Sequence, residues 1–185
     1  SVLLRSGIPP RGQYLCFALR RWKGFEEKAP IFGAAAEYAY RTYGLTPVFV
    51  AVEKHLDPGA GQLAAHGLTI PHYFLDDAGG AGTIIGALSR MQAVVSMRLH
   101  ALIFAAGQGI PLAGVVYDPK VSAFLRYIGQ EQFVDLAELT GQNLCAMIDQ
   151  CVAQAAHPET QEAAVRTLQA MEHKNVEVAR RLLKS

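Results

Sequence analysis

With 185 residues the chain is long enough for one ordinary α/β domain with a full core and too short for two. Hydrophobic residues make up 51% and charged residues 18%, which excludes a disordered chain, and a formal net charge of +1 gives no general pull toward nucleic acid. The absence of an apolar run of ~18 residues argues against a bilayer span. The lack of a secretion signal predicts a cytoplasmic domain, peripheral to a membrane only if its substrate is carried on a lipid.

Residues 1–12 open without methionine and pass through Gly7-Ile8-Pro9-Pro10-Arg11-Gly12, so they read as a connector from a preceding domain. Over 13–157, six apolar runs alternate with helical patterns. The runs are Tyr14 to Leu19, Pro47 to Val52, His72 to Leu75, Ala93 to Met97, Leu112 to Tyr117 and Phe133 to Leu136. Phe32 to Tyr43, Gly59 to His66, Gly82 to Met91, His100 to Gly107, Val121 to Ile128 and Leu144 to Ala155 suit helices. This alternation predicts an α/β, doubly wound, mostly parallel sheet of Rossmann-like type. Residues 158–185 place Ala164, Leu168, Met171, Asn175, Val178 and Leu182 on one stripe of a long helix, which packs either on this domain or on the absent one.

In the commonest doubly wound order, 3-2-1-4-5-6, strands one and four are neighbours and a ligand crevice lies between their carboxyl ends. That order brings three groups of cations to one edge: Arg20-Arg21-Trp22, Arg98-Leu99-His100 and Tyr117-Asp118-Pro119-Lys120, with Glu53-Lys54-His55 after strand two. Guanidinium forks match carboxylate and phosphate oxygens, and the amino end of a helix favours an anion. An arginine at a sheet rim equally pairs with an acidic neighbour such as Glu53 or Asp118. His100 is the candidate for acid–base work, because imidazole titrates near neutral pH.

Other chemistries are disfavoured. Cys16, Cys145 and Cys151 form no C-x-x-C pair and read as buried thiols, and the histidines share no ligand spacing, so no metal is expected. Neither a dinucleotide fingerprint nor a P-loop is present, and Gly79-Gly80-Ala81-Gly82 reads as a helix entry. Asp76-Asp77 is an unconvincing ribose site.

The motif Phe17-Ala18-Leu19-Arg20-Arg21-Trp22, Asp57, the block from Val94 through Arg98-Leu99-His100 to Ala106, Gly109-Ile110-Pro111 and Tyr117-Asp118-Pro119-Lys120-Val121 together resemble the polysaccharide pyruvyl transferase family. The likeness is strongest to its cell-wall pyruvylation branch and runs to about Gly129. It implies the C-terminal half of a two-domain, glycosyltransferase-B-like enzyme. Such an enzyme transfers a pyruvyl group from phosphoenolpyruvate to a sugar or lipid-linked saccharide as a ketal, with no cofactor beyond that donor. His100 is then expected to be catalytic; Arg20, Arg98, Leu99 and Lys120 to bind substrate; and Asp57 or Asp118 to support them. The competing readings are the C-terminal domain of a nucleotide-sugar-dependent glycosyltransferase and a non-catalytic anion-binding module.

Overall fold

The computed structural model describes residues 2–76, 79–162 and 165–171. Its centre is a six-stranded sheet of β1 (Tyr14–Ala18), β2 (Thr46–Val50), β3 (Tyr73–Leu75), β4 (Ala93–Ser96), β5 (Leu112–Val116) and β6 (Phe133–Asp135). The strands are all parallel, in the order β3-β2-β1-β4-β5-β6, which is the order expected from the alternation. The strands are covered on both faces, so they read as continuous apolar runs rather than alternating ones.

Alternation reappears in what each residue packs against. Leu15, Phe17, Phe49, Val95 and Val115 point into one core with α2 (Phe25–Tyr43), α3 (Pro58–Ala65) and α7 (Gly141–Ala155). Cys16, Ala18, Val48, Val94 and Leu112 point into the other, with α4 (Ala81–Leu88), α5 (Leu99–Gly107) and α6 (Pro119–Tyr127). Cys16 and Cys151 are buried and Cys145 half-buried; burial pushes the Cys151 thiol up to about 12 and the Cys16 thiol higher still. They have packing roles.

The largest departure from the sequence reading is α2, which begins at Phe25 rather than Phe32 and runs through Pro30. An interior proline costs a helix about 3 kcal/mol, because it removes one backbone hydrogen bond and crowds the preceding turn. Complete burial of Phe25, with Ala29 beside it, supplies an offset of about 1.5–3 kcal/mol. Small residues on this helix allow close approach: a Cβ on Gly33 would stand 2.4 Å from the Ala64 carbonyl oxygen of α3.

The segment read as a connector packs on this domain. A short helix, α1 (Val2–Arg5), and the turn after it bury Leu3 and Ile8 in the same core as α4. At the other end, helical backbone over 165–171 lets Leu168 pack on that core, whereas Ala164, Asn175, Val178 and Leu182 of the stripe lie outside the described residues. Among the described residues no helix is long and apolar enough to cross a membrane.

Candidate functional site

The helix after β1 lies on one face of the sheet and the helix after β4 on the other, so the chain diverges between these neighbouring strands. Their carboxyl ends are tied together: the Met97 N–H donates to the Ala18 carbonyl at 3.0 Å, and the buried Ser96 hydroxyl donates to the Ala18 and Arg98 carbonyls at 3.3 and 3.0 Å. The same Ser96 oxygen accepts the Arg98 N–H at 2.8 Å, fixing Arg98 in an extended conformation at the start of α5. No side chain caps α5 and its first turn holds no acidic residue, so the amino end faces the crevice as a positive pole.

Both arginines of the sequence reading sit at this edge, but on different partners. Arg98 is buried, with its Nε 3.3 Å from Asp57 Oδ2 and its Nη2 3.2 Å from Glu53 Oε2, so from the end of β4 it reaches across β1 to the segment after β2. Arg20 reaches the opposite way. Its Nη1 donates to the Tyr117 hydroxyl at 3.2 Å, and its guanidinium carbon lies 5.3 Å from the Trp22 ring centre and 5.6 Å from that of Tyr117. The acidic pairing open to the arginines is thus realised for Arg98 with Glu53; Arg20 takes an aromatic seat instead of Asp118.

Asp57, the residue just before α3, is the buried anchor of this edge. Its Oδ2 accepts the Glu53 N–H at 2.8 Å in addition to the Arg98 contact, while Oδ1 has no hydrogen-bond partner among the described residues. Burial pushes its carboxyl above the usual aspartate range, against the opposing pull of the Glu53 N–H and the Arg98 charge.

His100 is exposed in the first turn of α5, its ring 6.4 Å from that of Phe104 one turn on. Leu99 is partly buried against the apolar core, leaving its backbone N–H at the helix start as the group that faces the crevice. Asp118 caps α6, its Oδ1 accepting the Lys120 N–H at 2.8 Å, and the Lys120 side chain is exposed beside it. Gly79 and Gly80 form the entry to α4, as the sequence indicated, and Asp77 lies outside the described residues. No group of three or more metal-ligating side chains occurs among the described residues.

A cleft of about 740 Å³ opens on the β5 side of this edge, between the turn after β1, the start of α6 and the end of β6. Its walls include Trp22, Lys23, Glu27, Tyr117, Ser122 and Asp135. The turn is closed by the Phe25 N–H on the Trp22 carbonyl at 2.9 Å, with Gly24 in the left-handed region that favours glycine (φ +82°). Lys28 fastens α2 to the opposite wall by donating to the Ala137 and Leu139 carbonyls at 3.1 and 2.9 Å. Reading α2 from Phe32 missed Lys23, Glu27 and Lys28. The signal was there: Gly24, then acidic Glu26 and Glu27, with Phe25, Ala29 and Phe32 at helical spacing.

The sequence model of the polysaccharide pyruvyl transferase family matches residues 2–119, which hold β1 through β5 and the crevice. The chain belongs to the polysaccharide pyruvyl transferase family. It is therefore a member of a transferase family. No curated protein matches it in sequence.

Among solved structures, the glycotransferase of kitacinnamycin superposes with a TM-score of 0.60 at 14% identity, covering 88% of this chain and 40% of that one. UDP-GlcNAc 2-epimerase from Neisseria meningitidis gives 0.58 at 15% identity, covering 90% and 45%. The calicheamicin glycosyltransferase CalG4 gives 0.56 at 18% identity, covering 92% and 43%. This chain thus shares the glycosyltransferase-B type of fold and spans less than half the length of these structures.

Proposed function

We propose that this chain carries the phosphoenolpyruvate site of an enzyme that transfers a pyruvyl group to a polysaccharide sugar and closes it as a ketal. The observation that supports this reading best is the uncapped amino end of α5, with Arg98 immediately before it and His100 in its first turn, on a chain of this family. Phosphoenolpyruvate carries a carboxylate and a phosphate on one small frame. The free N–H groups of α5 and the remaining Arg98 donors suit one of them, and the exposed Lys120 ammonium suits the other. Arg20, held by Tyr117, sets the far rim.

In the proposed reaction a sugar hydroxyl attacks C2 of phosphoenolpyruvate while His100 delivers a proton to C3, turning the methylene into a methyl group. The C2–C3 π bond is lost and a C2–O bond to the sugar is formed. The hydroxyl proton passes to a carboxylate; Asp118, with Oδ2 outside its capping bond, suits that step better than buried Asp57. A second sugar hydroxyl then replaces phosphate at C2, closing the ketal; its proton returns to the His100 imidazole, and the departing phosphate takes up the proton held by Asp118. Arg98 and the helix pole stabilise charge as phosphate departs. Asp57 positions Arg98.

Thermal unfolding with phosphoenolpyruvate, and separately with nucleotide sugars, tests the reading on this chain and on Lys120→Ala. Phosphoenolpyruvate at about a hundredfold excess over its Kd adds ~2.7 kcal/mol to the native state. The expected result is stabilisation by phosphoenolpyruvate that weakens in the variant. Stabilisation by a nucleotide sugar alone would instead support a glycosyltransferase.

A further inference from the structure

We infer that the cleft beside Trp22 is a saccharide subsite, which holds an uncharged sugar ring of the acceptor against the indole while the donor occupies the neighbouring cationic edge. The inference rests on the pyruvyl transfer reading for the identity of the sugar as acceptor, but its own evidence is the cleft.

The first observation is the indole. Trp22 is 46% exposed, yet it is held in place, with Tyr117 at 4.9 Å between ring centres and the Arg20 guanidinium at 5.3 Å. A large aromatic packed by two neighbours yet nearly half exposed leaves apolar area in water that a ligand can cover at little ordering cost to the protein. The C–H face of a pyranose suits it, because those hydrogens carry partial positive charge against the negative face of the ring.

The second observation is charge. The cleft is lined by three carboxylates, Glu27, Asp118 and Asp135, and two ammonium groups, of which that of Lys28 is already spent on two backbone carbonyls. Such a lining repels a phosphate or carboxylate and suits hydroxyl groups, which donate to carboxylates and accept from Lys23. The Glu27 and Asp135 residues are exposed, their carboxylates make no hydrogen bond or ion pair among the described residues, and the Ser122 hydroxyl donates only to the Pro119 carbonyl at 3.1 Å. These are the convergent polar groups expected of a small-molecule site, in a volume within the ~300–1,000 Å³ usual for one.

The third is position. Tyr117 is both a wall of the cleft and the partner of Arg20, and the next residues, Asp118-Pro119-Lys120, lead from that wall to a cation proposed for the donor. A sugar on Trp22 is therefore presented to the donor edge rather than stored away from it.

Trp22 is the sole tryptophan of the chain, so its fluorescence reports this cleft directly. Methyl glycosides of single hexoses, N-acetylhexosamines and β-linked disaccharides are titrated into the intact chain, with and without saturating phosphoenolpyruvate. The expected result is a saturable change in Trp22 emission with at least one glycoside, undisplaced by phosphoenolpyruvate and roughly tenfold weaker in Asp135→Asn, a residue outside the donor edge. No saturable change with any glycoside, an unaltered affinity in both Asp135→Asn and Glu27→Gln, or displacement by uridine monophosphate would overturn the inference. The donor reading is scored separately by the Lys120-dependent thermal shift. A lost shift with intact glycoside binding counts against pyruvyl transfer alone, and the converse counts against the saccharide subsite alone.

Discussion

Replacing Arg98 by alanine removes the cation that balances a buried carboxylate. Asp57 loses its contact with Nε at 3.3 Å, and with 0% side-chain exposure it cannot turn to water instead. Breaking a buried pair from one side costs roughly 3–5 kcal/mol. The variant has a second route, protonation of Asp57, which starting from an ordinary aspartate costs about 4 kcal/mol at pH 7 and about 1.5 kcal/mol at pH 5. The cheaper route sets the loss: about 3–4 kcal/mol at pH 7 and about 1.5 kcal/mol at pH 5. The Glu53 contact, with its carboxylate half exposed, adds little. A loss of ~3 kcal/mol in a chain of this size lowers the midpoint by roughly 6–12 °C.

The sign follows from linkage. The folded pKa of Asp57 lies above its unfolded value, so the folded state holds this proton more tightly. Its contribution to stability is most favourable below the unfolded value and declines as pH rises through the folded one. Removal of Arg98 raises the folded value further and steepens that decline. Urea unfolding of the wild type, Arg98→Ala, Asp57→Asn and the double variant at pH 7 and pH 5 measures all of this. At pH 7 the double variant is expected to be more stable than the sum of the single changes implies, by about 2 kcal/mol. A loss from Arg98→Ala under ~1 kcal/mol, a loss equal at both pH values, or simple additivity would refute the reasoning.

Other expectations follow from single contacts. His100→Ala is expected to abolish most turnover in the complete enzyme while phosphoenolpyruvate still shifts the melting temperature, since an exposed imidazole carries little of the fold; steady-state kinetics beside thermal shifts separate the two. Gly33→Ala would drive a Cβ to 2.4 Å from the Ala64 carbonyl oxygen and force α2 away from α3, costing roughly 1–3 kcal/mol in urea unfolding. Thr140→Ala removes one of the two reciprocal bonds at the start of α7: the Thr140 hydroxyl accepts from Asn143 N–H at 3.1 Å, whereas the bond from the residue 140 N–H to the Asn143 side chain, at 2.9 Å, needs no side chain at 140. Loss of the hydroxyl cap is expected to cost about 1 kcal/mol, with no effect on phosphoenolpyruvate binding.

The sequence by itself determined the sheet. Six apolar runs too short for helices, separated by helical patterns, admit few arrangements other than a parallel doubly wound sheet, because parallel strands need crossovers and crossover helices need apolar faces to cover. Strand positions therefore agree to within a residue or two, and the edge at which Arg20, Arg98, His100 and Lys120 gather was legible from strand order alone. Tertiary structure decided where α2 begins, because the burial of Phe25 that offsets Pro30 is a contact with residues distant in the chain. It also decided which way each cation turns. An arginine's long side chain can reach partners two strands away, so no local pattern distinguishes Arg98, drawn by buried Asp57 and by Glu53, from Arg20, drawn by Tyr117. The cleft at Trp22 depends on both outcomes, since its walls come from three separate stretches of chain that meet only when the sheet is complete.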